Sequence, residues 1–532
     1  MREGSSWPPR VLILSLLALL IGLPFAARPA REGSAPGARR LVIITPHNEQ
    51  IRFEFGRAFS EWHAEQFGEP VFVDWRAPGG TSEIRRILEA QYTDAVRRGR
   101  LTPEGTLAPG AEPMPYDLFF GGGTFEHQAT KTGITVKLPG GPGGPGGPGG
   151  DALIRVALSV PAGFSQAQLD DWFGENRIGP EKIYDPDQYW IGTAFTAFGI
   201  VFNRDALRRL GVPEPRSWSD LTDPRLAGWL ALADPRASGS AATLYDSILN
   251  SYGWEKGWRT LRAMSANARY FTNSSSKVPI DVSNAEAAAG VSIDFYGRYQ
   301  SQAVMRPGET PQTTRVGYID PPGEVFVDSD PISMLAGGPD PELARRFIEF
   351  CLTDRGQSLW QFPAHERAGG PPADGLGPRR FELRRMPVGR DFYARARGRM
   401  IDQVDPFETA SPTPSRGWRS AVAPMMGAFG IDIHDDLSHA WGAMRRAREA
   451  GCAPDRLAEM EALFHAMPEH PMPGGASLPF TEENYKAIRA DWREAGKDGR
   501  PSFDATRTAY TLFFRENYRR VIQLAEECAP EH

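Results

Sequence analysis

RLVIIT at residues 40–45 is apolar almost throughout, the pattern of a strand buried on both faces. Behind it Ile51, Phe55, Phe59 and Trp62 recur at helical spacing. VFVDW at 71–75 repeats the strand pattern, and APGGTSE leads from it into a helix with Ile84, Ile87, Leu88 and Tyr92 on one side. YDLFFGGG at 116–123 is a third strand that breaks into glycines. This strand–helix alternation predicts an open parallel sheet with helices on both faces, and such sheets gather ligands beyond the carboxyl ends of their strands. His47, residues 79–83 and residues 121–124 stand at those ends.

The same alternation resumes further on. DALIRVALSV at 151–160 restarts the sheet pattern, and AFTAFGIVFN at 194–203 supplies another strand. WLALA at 229–233 stops at Asp234-Pro235 and empties into Ser238-Gly239-Ser240, ahead of Leu244, Tyr245, Ile248, Leu249 and Tyr252 at helical spacing. A small-residue turn at a helix start offers unpaired N–H groups and a partial positive charge to an anion; equally, Ser238 is an ordinary N-cap. ARYFTNSSSKV at 268–278 places Asn273 to Ser276 at another strand end, and GVSIDFYG at 290–297 reads as a strand carrying Asp294 and Tyr296. A second α/β lobe follows from these runs, with the chain crossing between lobes more than once. FVDSDPISML at 326–335 precedes a helix with Asp340 as N-cap, Pro341 in its first position and Leu343, Phe347, Ile348 and Cys351 facing inward. Beyond residue 380 the periodicity is helical to the end.

Composition adds location rather than chemistry. Arg2 and Arg10 precede the apolar run of residues 11–23 and the small residues that follow, a secretory signal spanning residues 1–30, with an uncleaved anchor as the alternative. An extracytoplasmic, periplasmic site follows from that. Net charge is −6 with both signs well mixed, which argues against a nucleic-acid partner. Three cysteines, Cys351, Cys452 and Cys528, are too few for a disulfide framework; a Cys452–Cys528 bridge stays open. The Gly/Pro repeat at 139–150 reads as a solvated insert in a surface loop.

PRSWSDLTDPRLAGWLALADPRASGS, GWEKGWRTLRAMSANARYF, AGVSIDFYG and DPELARRFIEFCLTDRGQSLWQ occur in an order and spacing that resemble the periplasmic solute-binding proteins of ABC transporters. The resemblance covers residues 40–365 and is nearest to the group that binds ferric iron and anionic or phosphorylated solutes. It implies an α/β fold of two lobes, each an open, mostly parallel sheet flanked by helices, joined by crossing hinge strands and followed here by a helical C-terminal extension. The expected boundaries are 38–153 and 288–335 for the first lobe, 154–287 and 336–370 for the second, and 381–532 for the extension. A binding protein of this kind is not an enzyme. It captures its solute in the cleft and delivers it to a membrane permease.

The family's anion-holding turns match Ser238, Gly239, Ser240, Asn273 and Ser274, to which Ser275 and, on the facing lobe, Thr81 and Ser82 are natural additions. Its iron ligands match His47 and, loosely, Glu83. The expected Tyr-Tyr pair is Phe295-Tyr296, so one phenolate is missing. Fe(III), which enters only as transported ligand, favours oxygen donors, and a phenyl ring supplies none. A sensor or docking module on the same fold is the alternative that residues 381–532 favour. A secreted hydrolase would need a nucleophile elbow, and no Ser sits in a G-x-S-x-G context.

Overall fold

The computed structural model describes residues 13–17, 37–138, 152–310, 312–496 and 501–528. The Gly/Pro insert and, apart from 13–17, the expected signal segment lie outside these residues. Among the described residues no helix is long and apolar enough to cross a membrane.

Among the described residues twelve strands build the two lobes: β1 Arg39–Ile44, β2 Val71–Arg76, β3 Leu118–Phe120, β4 Ile134–Leu138, β5 Ala152–Val156, β6 Ser159–Val160, β7 Ile191–Asn203, β8 Leu230–Ala233, β9 Ala268–Thr272, β10 Ala289–Ile293, β11 Val316–Ile319 and β12 Val327–Leu335. Ten of them form one sheet in the order β2-β1-β3-β12-β7-β10-β8-β9, with β6 on β12 and β11 on β7. The two lobes meet on β7. Its 13 residues, all buried, run about 40 Å at strand rise. Residues 191–197 pair with β12 and residues 198–203 with β10 and β11. Parallel pairing holds within each lobe, β1 with β2 and β3, β8 with β9 and β10, while β7 and β12 cross antiparallel between them. Pro331 has no N–H to give the ladder, and the β12–β7 register shifts between Asp330 and Pro331.

Three expectations change. First, β10 pairs with β7 and β8, so residues near 290 belong to the second lobe, not the first. The helix Pro341–Leu352 packs Phe347 and Phe350 against Phe59 and so covers the first lobe, not the second. Arg39 of β1 and the N-cap Asp340 pin it there at 2.7 Å. Second, the strand at 290–297 ends at Ile293, and Asp294, Phe295 and Tyr296 open the helix Asp294–Ala303. Third, β5 does not restart the main sheet but pairs back on β4 as a hairpin flanking the insert.

The extension is not a separate layer. Its helices Arg419–Met426, His434–Glu449, Pro454–His465, Glu482–Arg493 and Phe503–Glu527 lie against the second lobe, where Trp254 meets Trp418, Phe480 and Tyr485. Before them, residues 379–388 thread through the hinge. Glu54, fully buried, accepts from the N–H groups of Arg379, Arg380 and Phe381, and Phe195 of β7 donates to the Met386 carbonyl at 2.7 Å.

Cys452 and Cys528 are bonded, with Cα atoms 5.4 Å apart and a sequence separation of 76. The bond ties the end of the last helix to the turn before Pro454–His465. Closing a loop of this length restricts the unfolded chain, so reduction, or Cys452→Ser, is expected to lower stability by about 2–4 kcal/mol. Urea denaturation with and without reductant measures it; coincident curves would remove the bond from the stability account.

Candidate interlobe binding site

The strand ends of both lobes face one another, as the parallel order requires, and the two lobes touch. A Cβ on Gly239 would come within 2.2 Å of Thr81 Oγ1 and 3.2 Å of Glu126 Oε1, so only glycine permits this approach. Ser238 caps the helix Gly239–Tyr252 by accepting from Ala241 N at 3.2 Å. Opposite, Ser82 Oγ donates to Glu126 Oε1 (3.1 Å) and Arg85 Nε to Oε2 (2.7 Å). Arg419, from the extension, donates to Gly239 O at 2.8 Å and Thr243 Oγ1 at 3.2 Å, with Glu126 3.8 Å away. Thr81 Oγ1 is buried and has no partner. The Glu126 carboxylate thus stands against the Ser-Gly turn, 3.2 Å from where a Gly239 Cβ would lie.

A second charged cluster lies at the hinge. Asp328 and Asp330 are two apart on β12 and share a face. Asp328 accepts from Thr124 N and Oγ1; Asp330 accepts from Gly122 N at 2.5 Å and pairs with Arg385. The Arg385 guanidinium also donates to Thr196 Oγ1 at 3.1 Å and stacks 4.3 Å above the Phe295 ring. His47 Nε2 lies 2.9 Å from the Asp330 carboxylate and 3.1 Å from Arg385 Nη1. Burial, and then the nearby Arg385 charge, hold the imidazole well below its ordinary pKa, so the ring is neutral. Gly121, at φ 94°, passes so close that a Cβ would meet Nε2 at 2.4 Å.

Of the expected iron ligands, the structure therefore engages His47 elsewhere. Glu83 is exposed and its carboxyl folds back over Gly79. Tyr296 is half-buried; burial raises its phenol pKa, which opposes the phenolate that Fe(III) would need. Arg385 sits over Phe295, where the second phenol would be. Among the described residues no three His, Cys, Asp or Glu side chains converge as a metal site.

The anion-turn residues divide. Ser238, Gly239, Thr81 and Ser82 come together across the lobes, with Ser240 next in the same helix turn. Asn273 and Ser274 are exposed on the neighbouring turn after β9, and Ser275 is half-buried; Thr272 Oγ1 donates to Ser274 O, and the Ser274 and Ser276 hydroxyls bond to each other. Beside them opens a pocket of ≈ 360 Å³, lined by Asn48–Ile51 of the first lobe, Ser276, Pro279, Ile280, Phe295, Tyr296 and Tyr299 of the second, and Leu383 of the extension. Sequence reasoning missed Glu126, Asp328, Asp330, Arg385 and Arg419. The D-S-D spacing in an otherwise apolar strand is a legible signal for the two aspartates; nothing local marks the arginines.

Burial pushes the Asp328 carboxyl up to about 7 against the hydrogen bonds from Thr124. Between pH 4 and 7 the unfolded state has lost this proton while the folded state keeps it, so this group makes stability fall as pH rises through that window and level off above it. Asp328→Asn is expected to flatten that part of a Tm-against-pH profile; an unchanged slope counts against the assignment.

Residues 163–367 match the family of bacterial extracellular solute-binding proteins. Over these residues the chain is similar to bacterial extracellular solute-binding proteins. The family is one of binding proteins, not enzymes. The chain is also similar to the phosphoglycerate transport regulatory protein PgtC of Salmonella typhimurium, 26% identical over 176 residues, which is 32% of this chain and 40% of that protein. It thus spans less than half the length of this curated relative. Two solved structures are also similar to parts of this chain. The periplasmic binding protein AfuA from Actinobacillus pleuropneumoniae, with exogenous fructose-6-phosphate bound, has a TM-score of 0.47 at 15% identity, over 74% of this chain and 99% of that one. The ferric binding protein from Campylobacter jejuni has 0.44 at 14%, over 76% and 99%.

Proposed function

We propose that the protein is the extracytoplasmic solute-binding component of an ABC importer, which closes its two lobes on a small anionic solute and passes it to a membrane permease. The observation that carries this reading is the meeting of the Ser238–Gly239 turn with Thr81, Ser82, Arg85 and Arg419, a set of hydroxyl and guanidinium donors around one carboxylate. Such donors suit the oxygens of a phosphate or carboxylate. Transported Fe(III) fits less well, because His47 is engaged by the Asp330–Arg385 pair and a phenol is missing. The similarity to PgtC makes phosphoglycerate a natural first probe. A second reading, an exported sensor or docking module, is favoured by the extension's two arginines in the cleft.

Thermal shift on the purified protein tests the choice, with inorganic phosphate, 3-phosphoglycerate, fructose 6-phosphate and Fe(III)-citrate as probes. A phosphorylated solute at a hundred times its Kd is expected to stabilise by about 2.7 kcal/mol. Stabilisation by Fe(III)-citrate alone, abolished in Tyr296→Phe, would overturn the anion reading in favour of iron. A flat response to all four favours the sensor.

A further inference from the structure

Both ends of the interlobe cleft hold a guanidinium that neither lobe supplies. Arg385 reaches Asp330, His47 and, on the β12-paired half of β7, Thr196, and it stacks on the Phe295 ring of the second lobe. Arg419 touches the first lobe at Glu126 and the Phe125 ring, 4.4 Å away, and the second at Gly239 O and Thr243. Each therefore bridges the lobes. Neither is a loose surface side chain: Arg385 is 4% exposed, and the backbone on either side is fixed. Arg385 N donates to Trp360 O, Val388 N to Gln357, and Arg416 N to Asn250 at 2.9 Å.

We propose that the segment 379–420 supplies two built-in occupants of the cleft, Arg385 and Arg419, which latch the lobes closed before any solute arrives. Opening the lobes takes Arg419 away from Glu126 and Arg385 away from the Phe295 ring, and a buried charge stripped of such contacts is disfavoured. A solute must therefore compete with groups of this chain: an anion with Glu126 for Arg85 and Arg419, and a cation with Arg385 for Asp330 and His47. The closed state is the resting state, and solute capture depends on release of the segment. The latch itself needs no solute; only this last consequence rests on reading the cleft as the solute site.

Small-angle scattering of the full chain without solute is the test. Wild type is expected to scatter as a closed pair of lobes, and Arg385→Ala/Arg419→Ala to show a larger radius of gyration that inorganic phosphate or 3-phosphoglycerate partly reverses. An open wild type, or a folded double variant as compact as wild type, overturns the latch. If the alanine variant fails to fold, Gly80→Cys/Ala237→Cys in the otherwise native chain takes its place, since Gly80 faces Ala237 O across the cleft within 3.2 Å of a Cβ. Rapid cross-linking without solute supports the latch, and cross-linking only after a probe is added overturns it. Thermal shifts with phosphate esters beside an open wild type would sink the latch and leave the solute reading standing.

Discussion

Arg262→Ala is expected to lower the unfolding free energy by about 3–5 kcal/mol, the sum of a cavity and of lost hydrogen bonds from a charged donor. Arg262 lies on the helix Trp254–Asn267 of the second lobe and is 1% exposed. Its guanidinium donates to the carbonyls of Phe464 (2.5 Å) and Ala466 (2.9 Å) and to Met467 Sδ (3.0 Å), and it stacks on Phe429 and Phe514 at 5.1 and 4.7 Å. Among the described residues no carboxylate pairs with it; carbonyl dipoles and ring faces stabilise the charge together. Truncation leaves two carbonyls unpaired at the end of Pro454–His465 and opens a void between that helix and Phe503–Glu527. Burial and this neighbouring charge also hold His465 down at about 3, so the imidazole stays neutral and adds no repulsion at pH 7. Arg262→Lys keeps the charge but cannot fork to both carbonyls, and is expected to recover part of the loss. Chemical denaturation measures both variants; a loss under about 1 kcal/mol for the alanine would show that Arg262 does not dock the extension.

Asp330→Ala is expected to cost a similar amount, about 3–5 kcal/mol, for a different reason. The loss is not the pair's net worth but the charge left behind, since Arg385 would remain buried without its carboxylate partner. The Gly122 N–H loses its acceptor as well. Adding Arg385→Met is therefore expected to restore stability rather than remove more, because the orphaned charge goes with it. A double-mutant cycle reads this directly, as a coupling well above 1 kcal/mol. Strict additivity would falsify the buried pair.

Much of the scaffold was legible because it follows from local rules. The runs at 40–45, 71–75 and 229–233 became β1, β2 and β8, since a short β-branched or leucine-rich run flanked by turns has few other ways to be buried. Asp340 caps its helix by accepting from Leu343 N, as the Asp-Pro-Glu order predicts. Ser238 caps the helix of the small-residue turn. The failures are equally physical. SIDFYG suits a strand by propensity, yet Asp294 starts a helix, where an acidic first turn is favourable and its buried carboxyl meets Arg298 one turn on. Residues near 290 went to the wrong lobe because a strand's partners are chosen by crossover, not by sequence distance.

The sequence by itself determined the strand and helix order, the small-residue turns at the strand ends and the resemblance to a two-lobed binding protein, since each depends on neighbours within a few turns of chain. It also placed Thr81, Ser82, Ser238 and Gly239 at the ends that face one another. Only the tertiary structure decided what fills the space between them. His47 meets Arg385 across 338 residues and Arg419 meets Gly239 across 180. An arginine on a helix or in an extended segment looks the same in sequence whether its charge ends in solvent or in a cleft. The difference is made by how the hinge strands β7 and β12 bring both lobes and the extension to one place, and by burial that makes each charge find a partner there.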